Sequence, residues 1–383
     1  MDYNFDTPID RKNTASLKWD KYKSTDILPF WVADMDFEAA PEIVTAIAER
    51  NSHGVFGYTV PGETVTQSVV DYLERDHGYK IDPAWIVWTP GVVPAINLFC
   101  RAFGENGSSV MTCTPVYPPF LTAPENADRK LIAIDLMWDG NRWTFDFDEM
   151  EARIQPSTRS FILCNPHNPV GRVFDKQELQ KLSDFCIQHD LILCTDEIHS
   201  DLILEPGIKH IPTNLISEEI SKRSVMLTSP SKTYNIPGLC CAYAVIENPK
   251  IRLAFKKVAR GIITEINTFG FVGCEAAYRY GSQWRLELIE YLRQNRDYLY
   301  HFISTQIPKI KMHPMEATYL AWLDVSALKL DNPAGYFESE GIGLSEGGFF
   351  GANDHVRLNF GCSRSLLEIG LNKLKAAVDK LAD

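Results

Sequence analysis

FILCNPHNPVGRVFDKQELQKLSDFCIQHDLILCTDEIH, residues 161–199, decides the fold. Two short apolar runs, Phe161–Cys164 and Leu191–Thr195, bracket a helical pattern. Neither run alternates apolar with polar residues, which is the mark of strands buried on both faces. Between them, Asp175-Lys-Gln-Glu178 has the form of a capping box, and Leu179, Leu182 and Cys186 come after it at helical spacing. Strand, helix, strand at this separation is a βαβ unit, and it implies a parallel sheet.

Working outward, Ser108–Cys113, Lys130–Leu136, Ser224–Thr228 and Cys241–Ile246 read as further strands of the same buried, parallel kind. The flanks read as helical. One helix starts at Pro41 and runs to Arg50, with Ile43, Ile47 and Ala48 on one face. A long one covers Arg285–Ile307. Ser365-Leu-Leu-Glu368 has the capping-box form and opens a last helix striped by Leu367, Leu371, Leu374, Val378 and Leu381. The expected architecture is α/β, with a mostly parallel central sheet in a large domain over residues 50–285. Residues 1–49 with 286–383 form a second, smaller α+β domain.

Composition narrows the function classes. The 383 residues are 45% hydrophobic and 23% charged, ordinary for a folded soluble protein. Thirty-eight basic against 50 acidic residues give a net charge of −12. Such a surface is a poor partner for nucleic acid or anionic membrane. No apolar run approaches the ~20 residues of a membrane span. The first twenty residues have the form of neither a signal nor a transit peptide. Nine cysteines, an odd number without a Cys-x-x-Cys pair, suit buried thiols in a reducing compartment. The expectation is a cytoplasmic protein with no cysteine-based zinc site.

Ligands of open α/β sheets sit at the carboxyl ends of the strands. The segments that leave those ends are therefore the candidate site. Asn165-Pro-His-Asn-Pro-Val-Gly171 gives an extended, turned backbone in which Asn168 can donate to an anionic oxygen; a plain strand-to-helix turn is the other reading. Asp196-Glu-Ile-His199 places an acid at a strand end, where it needs a partner such as a protonated ring nitrogen; a solvated loop acid is the alternative. A metal set of Asp196, His199 and Asp201 is set aside, because strand residues alternate in direction instead of converging. Ser229-Pro-Ser-Lys232 offers an amine that forms Schiff bases once desolvated, with hydroxyls beside it for a phosphate. In Trp88-Thr-Pro-Gly-Val-Val-Pro94, Gly91 makes a turn, and the amides of Val92 and Val93 open a helix as a phosphate cup or as an ordinary helix start. In Thr114-Pro-Val-Tyr-Pro-Pro119, Tyr117 is held stiffly, to stack on a flat ring or to fill the core.

Together with Val356-Arg-Leu-Asn-Phe360, these motifs in this order resemble the fold-type I pyridoxal-5′-phosphate enzymes of the class I/II aminotransferase superfamily. Pro29-Phe-Trp-Val-Ala-Asp-Met-Asp-Phe37 and His53-Gly-Val-Phe-Gly-Tyr-Thr59 narrow the resemblance to the MalY/PatB branch of cystathionine β-lyases and cysteine-S-conjugate lyases. The resemblance implies that Lys232 holds pyridoxal 5′-phosphate as a Schiff base and serves as the catalytic base. It implies that Asp196 pairs with the ring nitrogen, that Asn168 and His199 lie near the ring hydroxyl, and that Tyr117 stacks on the ring. Gly91, Val92, Val93 and Ser229 would form the phosphate cup. Tyr58 would reach the phosphate of a neighbouring subunit, so a homodimer with shared sites is expected. Arg357 would clamp the substrate carboxylate, with Ala33 and Trp31 on the same side. Cys240 stands where many aminotransferases carry a phosphate-binding arginine, a departure that fits the lyase branch. The implied reaction is β-elimination from cystathionine or another L-cysteine S-conjugate to pyruvate, ammonia and a thiol. Transamination by the same residues, or a cofactor-binding regulator with little catalysis, are the alternatives. The substrate pocket is expected to be closed by a glycine-rich lid, Gly341–Gly351, carrying Phe349 and Phe350.

Overall fold

The structure is a computed structural model and describes residues 3–381. Seven strands form the central sheet: β1 (Ile86–Thr89), β2 (Ser109–Thr114), β3 (Lys130–Asp135), β4 (Thr158–Cys164), β5 (Ile192–Asp196), β6 (Ser224–Thr228) and β7 (Ala242–Val245). Their spatial order is β1-β7-β6-β5-β4-β2-β3. The pairs β2–β3, β2–β4, β4–β5 and β5–β6 are parallel. Strand β7 instead lies antiparallel to both β1 and β6. This corrects the grouping of Cys241–Ile246 with the parallel strands. All four residues of β7 are buried, as in its parallel neighbours, so its side chains report burial and not direction.

The register brings the candidate motifs together. Cys164 pairs with Asp196, and Asp196 with Leu227, so β4, β5 and β6 end side by side. The segments that leave these strands carry Asn168, His199 and Lys232 to one edge of the sheet.

Helix α1 (Pro41–Ser52) begins at Pro41 and buries Ile43, whereas Ala48 is exposed and does not belong to its inner face. Helix α2 (Val92–Ala102) starts two residues after β1. Helix α3 (Lys176–Gln188) joins β4 to β5 and has both halves of the expected capping box. The Asp175 carboxylate accepts from the amides of Gln177 and Glu178 at 2.8 and 3.0 Å, and the Glu178 carboxylate accepts from the Asp175 amide at 2.8 Å. Helix α4 (Ser282–Gln306) is the long one. It leads to a second, antiparallel sheet of β8 (Lys311–Met312), β9 (Leu320–Asp324), β10 (Ser345–Glu346) and β11 (His355–Asn359), in the order β8-β9-β11-β10. Helix α5 (Arg364–Lys380) closes the described chain. Its cap is Ser363, whose hydroxyl accepts from the Leu366 amide, and Ser365 lies inside the first turn.

Two parts of the C-terminal region, a short separate strand pair and Asn359 of the second sheet, hold the N-terminal segment in place. Leu28 and Pro29 pair in parallel with Ile342 and Gly343. The Asn359 side-chain amide donates to the carbonyls of Val32 and Asp34 at 2.5 and 2.6 Å. The buried Asp36 accepts from Arg11, Lys18 and Trp19 at 2.7, 2.7 and 2.8 Å, so residues 31–36 are held from both sides.

Candidate active site

Two cavities meet at Lys232, and Ala33 and Tyr117 line both of them. The inner cavity, of about 170 Å³, lies on the carboxyl ends of β4–β6 and on the start of α2. The outer one, of about 800 Å³, lies between the N-terminal segment and the second sheet.

Lys232 comes after β6 and donates from Nζ to the Ala33 carbonyl at 2.6 Å. The Tyr319 hydroxyl donates to the same oxygen at 2.9 Å, which fixes where the amine points. Burial, with Arg357 next in weight, pulls the amine down to about 8 from its ordinary 10.5. Its neutral fraction near neutral pH is therefore far larger than that of an ordinary lysine, which favours a nucleophile or base.

Asp196, at the end of β5, is buried in the inner cavity. Burial pushes its carboxyl up to about 7; the Ile198 amide, which donates to it at 3.1 Å, and Lys232 act in the opposite direction. It makes no ion pair among the described residues. A cation placed beside it would restore the charged form. His199 is buried too, and burial, aided by Lys232 and Arg357, brings its imidazole down to about 3. It is neutral at physiological pH, and its Nδ1 is buried without a hydrogen-bond partner among the described residues. Asn168 stands between the cavities: its Oδ1 accepts from Arg357 Nη1 at 3.1 Å, and its carbonyl accepts from the Tyr117 amide at 3.1 Å.

Gly91, Val92 and Val93 line the other end of the inner cavity. The first amides of α2 have no carbonyl one turn earlier in the helix, and the helix dipole adds positive potential there. The φ of Gly91 is 175°, extended backbone open to any residue, so its turn does not depend on glycine. Ser229 lies 2.7 Å from the Cys241 carbonyl and 2.8 Å from the Ser231 hydroxyl, and accepts from the Ser231 amide at 3.0 Å. Ser229 and Ser231 both line the inner cavity. Cys240 lines this end as well, in a left-handed conformation at φ 51°. The only cation in the wall of the inner cavity, among the described residues, is Lys232.

Arg357, on β11, is buried in the wall of the outer cavity. Its partners are neutral oxygens: Asn168 Oδ1, the Trp31 carbonyl at 3.0 Å and the Ser345 hydroxyl at 3.3 Å. Its guanidinium lies 4.7 Å from the centre of the Phe350 ring. Burial without an anion holds it down at about 10. Arg357 has no carboxylate partner among the described residues, so its charge is left to be offset by an anion.

One expectation, the phenylalanine lid, is answered differently. Phe350 is buried beneath Arg357, packs against Trp322, and gives its carbonyl to the Val116 amide at 3.0 Å. It is floor, not lid; Phe349 alone is exposed at the mouth. Tyr58 is fully exposed and lines neither cavity of its own chain. Tyr319 and Ser345 were not singled out by sequence. Both act across the chain, where no local pattern marks them.

Comparison with known proteins points the same way. Residues 25–374 match the family model for aminotransferase class I and II. The chain is 39% identical to the cystathionine beta-lyase PatB of Bacillus subtilis, covering 98% of this chain and all of that protein. Among solved structures, that of OvoB superposes with a TM-score of 0.96 at 43% identity, over 98% of this chain and 99% of that one. Cystalysin from Treponema denticola, which contains a pyridoxal 5′-phosphate cofactor, superposes with a TM-score of 0.95 at 35% identity over the full length of both chains. A buried amine, carboxyl and imidazole at the ends of adjacent strands, joined by likeness along nearly the whole chain, lead to one conclusion: the chain belongs to the class I and II aminotransferase family.

Proposed function

We propose that the protein is a pyridoxal-phosphate-dependent carbon–sulfur β-lyase that cleaves L-cysteine S-conjugates, cystathionine among them. The observation that carries the proposal is the junction at Lys232. A depressed amine lies between a cavity holding an unpaired buried carboxyl and a cavity holding an unpaired buried guanidinium. The inner cavity fits the cofactor. Asp196 would take the ring nitrogen, the partnerless Nδ1 of His199 and the Asn168 side chain would lie near the ring hydroxyl, and Tyr117 would face the ring. The amides of Val92 and Val93 and the hydroxyls of Ser229 and Ser231 would take the phosphate.

When bound, pyridoxal phosphate supplies an electron sink conjugated to the substrate nitrogen. Arg357 binds the substrate carboxylate and orients Cα. Lys232, freed by the incoming amine, takes the Cα proton. The Cβ–S bond then breaks with both electrons on sulfur, which leaves as a thiolate and takes up the proton that Lys232 removed from Cα. Water hydrolyses the remaining three-carbon fragment to pyruvate and ammonia. His199 stays neutral and does not take this proton from Lys232. The Lys232→Ala protein is expected to lose sustained pyruvate formation while still binding the cofactor; full turnover by that variant would overturn the role of Lys232.

The working form in this proposal is a homodimer in the cytoplasm. Val55, Phe56, Tyr58 and Val60 form an exposed apolar stretch on one chain, and the phosphate end of the inner cavity lacks an arginine among the described residues. A second copy would cover the first and bring Tyr58 to the second. Sedimentation should give a dimer, and Tyr58→Ala should weaken cofactor retention; a monomer with full activity would contradict this. No helix among the described residues is long and apolar enough to cross a membrane, and all nine cysteines are free thiols, in keeping with a reducing compartment. Cell fractionation tests the location.

A further inference from the structure

The outer cavity is far larger than a cysteine requires, and three charged side chains stand in its wall alongside exposed Leu17 and Phe349. Lys21, Glu338 and Glu346 line it beyond Arg357. Lys21 Nζ lies 2.9 Å from Glu338 Oε2, and the Tyr22 hydroxyl donates to the same oxygen at 2.7 Å. Both charged side chains are partly exposed, at 45% and 39%. The Glu346 carboxylate is exposed and has no hydrogen bond or ion pair to the described residues. Trp31 ties this mouth to the carboxylate clamp. Its carbonyl accepts from Arg357 at 3.0 Å, its ring lies 5.2 Å from Lys21 Nζ, and its indole N–H donates to the Lys18 carbonyl at 3.2 Å. One rigid residue thus separates an inner cation from an outer set of charges.

An exposed ion pair of this kind adds ~1 kcal/mol or less to stability, so it exchanges partners at little cost. A zwitterion fits it in both halves, with a carboxylate on Lys21 and an ammonium between Glu338 and Glu346. We propose that the mouth is a subsite for the amino-acid terminus of the leaving thiol, so that the preferred substrates carry two amino-acid ends joined through sulfur. The inner end binds at Arg357 and the outer end at Lys21, Glu338 and Glu346. This inference rests on the β-lyase reading and adds to it the residues that would hold the outer end of the substrate.

The test compares the holoenzyme's kcat/KM for L-cystathionine with that for S-ethyl-L-cysteine. The second substrate has the same scissile bond and inner end but no outer terminus. Lys21→Met is expected to lower the cystathionine preference about tenfold, mostly through KM, the size of one lost charge-assisted contact. Glu346→Gln, which breaks no bond within the fold, is expected to lower it in the same direction and guards against a Lys21 variant that fails to fold. A preference unchanged in both variants, with both substrates still cleaved, overturns the subsite and leaves the lyase reading standing. No pyruvate from either substrate with the parent holoenzyme overturns the lyase reading, and the subsite with it.

Discussion

At the scale of the residue, the site is a set of charges held without their partners. Asp196 shows it most simply. Its folded pKa, about 7, lies above the ordinary 3.8, so the folded apoprotein binds more protons than the unfolded chain between those values. The stability it contributes is full below the lower value and is lost as pH rises through the upper one. Asp196→Asn removes that loss. Relative to the parent apoprotein, the variant should gain melting temperature as pH rises from about 4 to about 7 and hold a constant difference above. A difference independent of pH would place Asp196 outside the unpaired state. The same variant should bind the cofactor more weakly, since an amide cannot pair with a ring cation. Arg357 is the complementary case. Arg357→Met removes one of the causes that depress Lys232, so the amine should titrate at higher pH, and KM should rise roughly a hundredfold for a lost buried bidentate contact. Lys232, Asp196, His199, Asn168 and Tyr117 were legible in the sequence because each lies at or just past a strand end. Arg357 carried no such signal. It comes from another sheet, and only resemblance singled it out. Tyr319 and Ser345 were illegible for the same reason, since contacts across the chain leave no periodic trace.

Elements show what local pattern encodes and what it does not. The cap of α3 was readable because Asp175 and Glu178 bond within four residues of each other. Asp175→Ala should lower stability by ~1 kcal/mol, measured by denaturant unfolding, with little effect on kcat. Leu182, fully buried on the same helix, should cost ~2–5 kcal/mol when changed to Ala. Gly171 is a harder stop. Its φ is +71°, and a Cβ there would lie 2.7 Å from the Cβ of Met315. Its carbonyl also accepts from the amides of Glu316 and Ala317 at 2.8 and 3.0 Å. Gly171→Ala should therefore destabilise the protein and disturb the neighbouring Asn168 loop. The direction of β7 was not readable, because an antiparallel strand buried on both faces has the same composition as a parallel one. The misplaced cap of α5 has a plain cause as well. Ser363 and Ser365 both precede the leucine stripe, and only the backbone decides which hydroxyl meets the amide of Leu366.

For the whole molecule, the central claim is that both cavities serve one reaction at Lys232. In this proposal the inner cavity would hold the cofactor, and the outer cavity would admit a thioether with its α-carboxylate on Arg357. The fold alone does not choose between elimination and transfer of the amino group, because both begin with removal of the Cα proton. The likeness to cystathionine β-lyase PatB and the roomy outer cavity favour elimination. The most direct measurement is pyruvate release from L-cystathionine by the purified protein loaded with pyridoxal phosphate, with no 2-oxo acid present. The expected result is sustained release over many turnovers, with one thiol formed per pyruvate. Absence of pyruvate, with turnover appearing only when a 2-oxo acid is added, would contradict the account and make the protein a transaminase.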